Sequence, residues 1–394
     1  MAKEWLSKFN PQSEQQTGIK PGNNYDIWRL RPFSIAEFNL MPKEKQYLYL
    51  IHLAHMSAST HNTQPWAFRI DSDKSQISAF LNRDRVLQGS DIIGRQALTS
   101  MGWAIANLDV ASKFFGFAPE IHYEAVDPVL VKPYSRFTNK DIHLVPIARI
   151  NLKKYNDIST EHPGLFEAIF TRRVDRCRYD TTVNIDVKIL EVLTKIPQAG
   201  INLHLLKRGN WRIARIAELQ GAADGFVANN PEFARELGDW MKPVDTHDYV
   251  GMPGDTFNLT SEQTDHIIEG FRDKEQANTD TTAGFIRGSR KGIESAAVVG
   301  LLTVSENNPR NWVQSGRILG KIGLFLESKG ISMAIHAGLA EAGEFNFQLV
   351  TLSLPAMVLK PKEKPVVLFR AGYLEKNSSR PPHSPRLPIE QILV

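Results

Sequence analysis

The sequence is poor in cysteine, because only Cys177 occurs among its 394 residues. A single thiol excludes an intramolecular disulfide and a zinc or iron–sulfur site built from several cysteines. The chain also lacks any run close to the ~18 apolar residues that a membrane-spanning helix needs. Residues 1–5 do not begin the apolar core of a secretory signal peptide. We therefore expect a cytoplasmic protein with no membrane partner.

A strong charge excess is also missing. The 47 basic and 43 acidic residues give a net charge of +4, and they are scattered evenly. Nucleic-acid binding requires a concentrated basic patch, so we expect no nucleic-acid partner. A mildly positive chain does suit a phosphorylated small molecule. The length and the 42% hydrophobic content are those of an ordinary globular protein with room for two domains.

Apolar periodicity predicts two long helices, at residues 94–115 and 312–329. Each follows a strand that ends in polar residues, so we interpret the chain as two copies of one α+β unit, an intramolecular pseudo-dimer. The alternative is that any two long amphipathic helices look alike. The predicted units are an N-terminal arm at 1–40, a first half at 41–152 and a second half at 153–394. Residues ~225–292 read as an irregular insertion, and we interpret this insertion as a lid.

A polar stretch, residues 57–66, closes one predicted helix and opens a strand. It contains hydroxyl residues, one asparagine and one glutamine, followed by Pro65 and Trp66. These side chains are poorly suited to a core and well suited to hydrogen-bonding a flat polar ligand. The candidate ligand-binding residues here are Ser57, Ser59, Thr60, Asn62 and Gln64.

Arginines provide a second candidate site. Arg172, Arg173 and Arg176 follow a short predicted helix, and Arg386 lies near the carboxyl end. Guanidinium groups bind phosphate through paired, charge-assisted hydrogen bonds. The alternative is a solvated basic turn, the usual fate of a run of charges.

Both stretches resemble motifs of the FMN-dependent nitroreductase family. Residues 59–66 resemble its S-x-x-N-x-Q-P-W motif, residues 171–176 are similar to its R-R-S-x-R motif, and residues 386–388 resemble its carboxy-terminal arginine segment. The first half has only residues 28–32 where R-R-S should stand, and the second half has lost the S-x-x-N motif at residues 196–202. Each half retains what the other lacks, as in the single-chain double-nitroreductase branch, the Acg-like proteins.

The resemblance implies a fold of two nitroreductase-like α/β/α halves in a monomer with one FMN site. Arg172 and Arg386 would bind the phosphate with Arg173 and Arg176 nearby, while Ser59, Thr60 and Asn62 would contact the isoalloxazine edge. The loop at Ala337 and Gly338 would present a backbone N–H to the flavin. Val174 replaces the family serine, so one hydroxyl contact is missing.

The implied chemistry is that of an FMN-dependent oxidoreductase. Hydride would pass from NAD(P)H, a transient donor, through flavin to a nitro, quinone or similar small acceptor, and no side chain would act as a catalytic nucleophile. Two alternatives stay open. The protein could sequester FMN under a closed lid with little turnover, or it could be a structural protein without flavin.

Two weaker patterns point elsewhere. His52 and His55 lie one helical turn apart, but no carboxylate or cysteine accompanies them, so we expect no metal. Gly316, Gly320 and Gly323 superficially match a dinucleotide loop. They lie within a predicted helix, which favours close helix packing instead.

Overall fold

The computed structural model describes residues 18–133, 142–155, 163–198, 200–272 and 279–394. The strands are β1 Trp66–Asp71, β2 Gln76–Asn82, β3 Phe117–Tyr123, β4 Leu144–Lys154, β5 Ile201–Lys207, β6 Met241–Lys242, β7 Met252–Pro253, β8 Val298–Val304, β9 Ser332–His336 and β10 Lys364–Gly372. The α-helices are α1 Ile35–Asn39, α2 Lys43–His55, α3 Arg95–Phe114, α4 Pro163–Thr171, α5 Val187–Lys195, α6 Arg212–Ala228, α7 Pro231–Trp240, α8 Ser261–Arg272, α9 Thr279–Glu294, α10 Pro309–Ser328, α11 Gly338–Glu344 and α12 Gln348–Met357. None of these described helices combines the length and the apolar character that a membrane crossing requires.

Two antiparallel four-stranded sheets have the same topology. The first has the order β1-β2-β4-β3 and the second the order β5-β8-β10-β9. In each sheet the strands follow the pattern first, second, fourth, third, and the long helix (α3 or α10) joins the second strand to the third. The predicted α+β class with a repeated unit is therefore confirmed.

The long helices α3 and α10 pack directly against each other between the two halves. A methyl group on Gly102 would lie 1.9 Å from the Val313 carbonyl oxygen, and one on Gly316 would lie 1.9 Å from the Thr99 carbonyl oxygen. The two backbones are therefore in contact, which only glycine permits at these positions. Trp103 packs on Gly320 and Gly323. These glycines thus serve close helix packing, as predicted.

The described part of the insertion, residues 225–272 and 279–292, is mostly helical rather than irregular, so that part of the prediction was wrong. It contains α7, α8 and α9, which pack with α6 around a second hydrophobic core. Its polar residues cap helices: the Asn230 side chain accepts hydrogen bonds from the backbone N–H groups of Glu232 and Phe233. Its glycines permit close contact, since a methyl group on Gly254 would lie 1.8 Å from Thr264 Oγ1.

Both ends of the described chain reach the first half. A 3₁₀ helix at Asn23–Arg29 buries Tyr25 and Trp28, so the described part of the predicted arm wraps onto the core. At the other end, the Phe68 N–H donates to the Ile392 carbonyl at 2.7 Å, and the Val394 N–H donates to the Phe68 carbonyl at 2.9 Å. The carboxy-terminal segment of the second half thus runs beside β1, which carries Arg386 to the polar stretch.

Candidate flavin site

The loop between α2 and β1 has a costly backbone conformation. His61, Asn62 and Gln64 have φ angles of 46°, 55° and 52°. Residues other than glycine seldom occupy this left-handed region, at a cost of about 1–3 kcal/mol each, and such strain clusters at functional sites. The Gln64 N–H donates to Ser59 Oγ at 2.9 Å, which helps to hold the loop in this shape.

Asn62 and Gln64 fasten two distant segments to this loop. Asn62 Nδ2 donates to the carbonyls of Gly251 at 3.0 Å and Pro385 at 2.9 Å. Gln64 Nε2 donates to the Tyr249 carbonyl at 2.8 Å, and Gln64 Oε1 accepts from the Leu387 N–H at 2.9 Å. Gln64 is therefore engaged within the protein rather than aimed at a cavity.

Arg386 and Arg172 both reach the end of α2 from the second half. Arg386 Nη2 donates to the Ser57 carbonyl and Arg386 Nη1 to Asn62 Oδ1, each at 2.8 Å. Arg172 Nη2 donates to the Met56 carbonyl at 3.0 Å. Both arginines are only 4% exposed. In the described chain their hydrogen bonds go to carbonyl and amide oxygens, so neither charge is neutralised by a hydrogen-bonded carboxylate.

Nearby carboxylates are bound by a different arginine. Arg380 forms two hydrogen bonds with Glu327, at 2.8 and 2.9 Å, and lies 3.5 Å from Asp175. Arg176 instead lies under the ring of Phe257, with its guanidinium carbon 4.2 Å from the ring centre. Arg380 thus compensates the local acids, and the buried Arg172 and Arg386 and the half-buried Arg176 contribute a surplus of positive charge.

These residues line one cavity between the two halves. The predicted residues that border it are Ser59, Asn62, Arg172, Arg173, Arg176 and Arg386, with Val174 among them. The volume of this cavity is about 50 Å³. The sequence did not single out other lining residues, namely Trp28, Met252, Thr256 and His383. Trp28 and His383 stack with ring centres 4.1 Å apart, a contact between residues distant in sequence.

The cavity wall carries several positive charges. Burial, together with the charge of a neighbouring arginine, lowers the pKa of Arg172, Arg173 and Arg176 to about 10 and that of Arg386 to about 9. Burial and four surrounding arginines also hold the pKa of His383 well below its ordinary value. The arginines still carry their charge at neutral pH, and an anion between them would relieve their repulsion.

The donor set fits the phosphate of a mononucleotide. Arg172 Nε is buried and has no hydrogen-bond partner within the described residues. A phosphate carries about two negative charges and three acceptor oxygens, so it could satisfy such a donor and compensate several arginines at once. The hydroxyl that the family serine would add is absent, because Val174 lines the wall instead.

The remaining predicted residues are not among those that form the described wall of this cavity. Ser57 Oγ donates to the Ala54 carbonyl at 2.7 Å, and the Thr60 N–H donates to Ser100 Oγ at 3.2 Å. Ala337 precedes α11, and a methyl group on Gly338 would lie 2.2 Å from Asp224 Oδ1. Their contacts with flavin stay predictions.

Two histidines lie in or beside predicted parts of the site. Burial, followed by the charge of Arg176, lowers the pKa of His61 in the strained loop to about 3. Burial, followed by the charges of Arg370 and Arg176, lowers the pKa of His336, the residue before Ala337. That the Ala337 loop and the polar stretch contribute to one flavin site stays a prediction.

Of the two histidines His52 and His55, His55 has a structural role. Trp66 Nε1 donates to His55 Nδ1 at 2.8 Å, and His55 Nε2 lies 2.9 Å from the Leu387 carbonyl. Both ring nitrogens are thereby used, which connects the polar stretch to the carboxy-terminal segment.

Comparisons with known proteins agree with the motifs. No family model matches the chain. A Mycobacterium tuberculosis protein named "Putative NAD(P)H nitroreductase acg" is 22% identical over 344 residues, which cover 87% of this chain and 93% of that protein. The predicted resemblance to Acg-like nitroreductases is thus confirmed over most of the chain.

Two solved structures are also similar. One is described as a "putative nitroreductase" from Anabaena variabilis, with a TM-score of 0.47 and 9% identity over 94% of this chain and 97% of that one. The other is the FMN-dependent nitroreductase NfnB from Mycobacterium smegmatis in complex with NADPH, with a TM-score of 0.35 and 12% identity over 58% of this chain and 96% of that one.

Proposed function

We propose that the protein is an FMN-dependent oxidoreductase of the nitroreductase type. Hydride would pass from NAD(P)H through one bound flavin to a nitro, quinone or similar small acceptor. Flavin, when bound, would supply the hydride chemistry, and the chain would supply position, charge and exclusion of water. The name of the Mycobacterium tuberculosis relative supports this assignment.

The observation that carries the proposal is the assembly of one buried cationic cavity from both halves. The second half contributes Arg172, Arg173, Arg176 and Arg386, and the first half contributes Ser59 and Asn62. Neither half contains the complete set. Each half lacks the counterpart motif, which supports one flavin site per chain acting as a monomeric pseudo-dimer.

Different residues would bind different parts of FMN. Arg172 and Arg386 would hold the phosphate, since both are buried and neither has a hydrogen-bonded carboxylate among the described residues. Asn62 orients Arg386 through its Oδ1 atom and fixes the loop through its Nδ2 atom. Ser59 and Thr60 would border the isoalloxazine edge, and the backbone at Ala337 and Gly338 would face the ring.

The insertion supplies a cover for this site. Residues 244–258, here called the covering segment, contribute Met252 and Thr256 to the cavity wall and place Phe257 over Arg176. Asn24 Nδ2 donates to the carbonyls of Thr246 at 3.1 Å and Asp248 at 3.0 Å. A segment in this place could exclude water during hydride transfer.

The same contacts favour a second function, the sequestration of FMN without turnover. The covering segment is fastened by Asn24, Asn62, Gln64 and the Lys20–Asp255 ion pair at 2.7 Å. The cavity volume of about 50 Å³ is well below the ~300 Å³ of a small ligand pocket. Entry of flavin and of a second substrate therefore requires the covering segment to move.

The visible spectrum of the purified full-length protein distinguishes these functions. An oxidoreductase should carry stoichiometric FMN, lose the flavin absorbance when NADPH or NADH is added without oxygen, and regain it when a nitroaromatic or a quinone follows. A sequestering protein should hold FMN whose absorbance neither nucleotide changes. A protein that is colourless and does not take up added FMN would refute both functions.

A variant tests whether the covering segment limits turnover. Asn24→Ala removes two hydrogen bonds to that segment and keeps the backbone carbonyl that accepts from the Arg386 N–H. If the segment gates access, this variant should be reduced by NADPH faster than the parent. Lys74→Ala, at an exposed turn in the first half, serves as the matched control.

A further inference from the structure

Helix α12 exposes apolar side chains that packing does not explain. Val350 and Leu354 bury one side of this helix against the second core. On other sides Leu349 is 46% exposed and Leu352 is 70% exposed. Solvent-exposed leucines grouped on one helix, unlike scattered single ones, usually mark a contact surface.

Aromatic residues extend this surface. Phe347, just before α12, stacks on Phe226 of α6 with ring centres 4.4 Å apart, and Phe226 remains 39% exposed. From residue 345 to residue 359 the sequence contains no charged side chain. An apolar segment of this length is too short to span a bilayer, but it is typical of segments that lie at an interface.

Positive charge follows the apolar helix immediately. Lys360, Lys362 and Lys364 are all exposed. The acid among them, Glu363, turns inward: its carboxylate lies 2.6 Å from His204 Nε2 and accepts a hydrogen bond from Thr303 Oγ1 at 3.0 Å. The charge that this turn presents to solvent is therefore entirely positive.

We propose that α12 and the following lysines form a docking surface for an anionic membrane. The exposed leucines and Phe226 would enter the boundary between headgroups and acyl chains, and the three lysines would contact anionic headgroups. This is attachment to a surface rather than a span, and it departs from our expectation that no membrane is a partner. It does not depend on the proposed function.

A second copy of the chain fits this surface less well. Residues 345–362 contain no acidic residue. A symmetric contact through this face would bring a second set of lysines to the interface and offer no carboxylate from the same face to pair with them. A lipid surface supplies both the apolar layer and the negative charge that the face lacks.

Vesicle co-sedimentation of the full-length protein tests the proposal. We expect binding to vesicles of phosphatidylcholine mixed with phosphatidylglycerol, and much weaker binding to phosphatidylcholine alone. Replacing Lys360, Lys362 and Lys364 together by Gln should lower the partition coefficient roughly 100-fold, since each lysine near an anionic surface contributes about fivefold. Leu352→Glu should abolish sedimentation with either vesicle.

The control is Val187→Glu, which adds the same charge at a 52% exposed apolar residue on α5. It should bind vesicles as the parent does, and circular dichroism should show that both glutamate variants remain folded. Absence of binding to the anionic vesicles would overturn the proposal. Equal binding by Leu352→Glu and the parent would also overturn it, as would a Leu352-dependent dimer in light scattering without vesicle binding.

Discussion

Replacement of Glu341 by Gln should stabilise the protein at alkaline pH. Glu341 and Glu344 on α11 lie with Asp224 of α6 in a buried acidic cluster. Gln96 Nε2 donates to Glu341 Oε1 at 2.7 Å, and Arg95 pairs with Glu344. Arg95 attracts Glu341 and Glu344, but Asp224 repels Glu341 and Asp91 repels Glu344, so the cluster cannot release all its protons without repulsion.

The direction and size of the stability change with pH follow from the pKa of Glu341. Burial, with Glu344 and Asp224 nearby, raises this pKa from 4.5 to about 8, against the opposing effect of Arg95. As pH rises, the unfolded chain therefore loses this proton first, so stability falls between about pH 4.5 and pH 8 and is flat outside that window. Some 3.5 pH units at ~1.4 kcal/mol each would give on the order of 5 kcal/mol for an isolated group. Because the cluster shares its protons, roughly 2–4 kcal/mol is the expected effect of one member.

Thermal unfolding of both proteins across pH 5 to 9 (about the window above) provides the assay. The parent should lose stability steadily as pH rises, while Glu341→Gln should lose less and should exceed the parent at the alkaline end. Glu375→Gln, at an exposed turn, is the control and should follow the parent. Parallel curves for Glu341→Gln and the parent would show that this carboxyl does not retain its proton on folding.

Three further outcomes are expected. Arg172→Ala should weaken FMN binding about 10- to 100-fold by loss of a charge-assisted contact. The control Arg215→Ala, at an exposed site on α6, should bind FMN as the parent does. Equal Kd values for Arg172→Ala and the parent in a fluorescence titration would rule out the phosphate assignment. Glu236→Gln should speed FMN release, because the Glu236 carboxylate accepts hydrogen bonds from the N–H groups at residues 88–90 and so connects α7 to the first half. An unchanged rate of FMN dissociation after dilution would count against gating by the insertion. Gly102→Ala should destabilise the folded protein by roughly 1–3 kcal/mol or more, since its methyl group would meet the Val313 carbonyl. The control Gly288→Ala, in open space on α9, should be neutral or slightly stabilising. Equal melting temperatures for the two variants would refute the close helix contact.

Much of the fold could be predicted because it depends on local periodicity. The long helices α3 and α10 have regular apolar spacing, and their predicted limits differ from the observed ones by no more than a turn. Strand β9, Ser332–His336, was not predicted, since five residues beside a glycine turn give too short a pattern. The helices of the insertion were missed because their caps and packing glycines resemble loop residues until the partner helix is known.

The site was predictable only in part, and the reason is geometric. Side chains with charged or amide groups stand out in the sequence, and three of them, Arg172, Arg386 and Asn62, do meet at one cavity. Trp28 and His383 reach the same cavity only because the two chain ends fold back over the first half. Gln64 matches the motif, but its side chain is hydrogen-bonded to the backbone of Tyr249 and Leu387. No spacing rule indicates whether a polar side chain faces a ligand or another part of its own chain.

The number of FMN molecules bound per chain tests the divided site most directly. After FMN addition and gel filtration, the ratio of flavin to protein absorbance should give one FMN per chain. The same measurement on Arg386→Ala should give markedly less, because that arginine joins the tail of the second half to the loop of the first. Two FMN molecules per chain, or one that Arg386→Ala binds as tightly as the parent, would contradict a single site built from both halves.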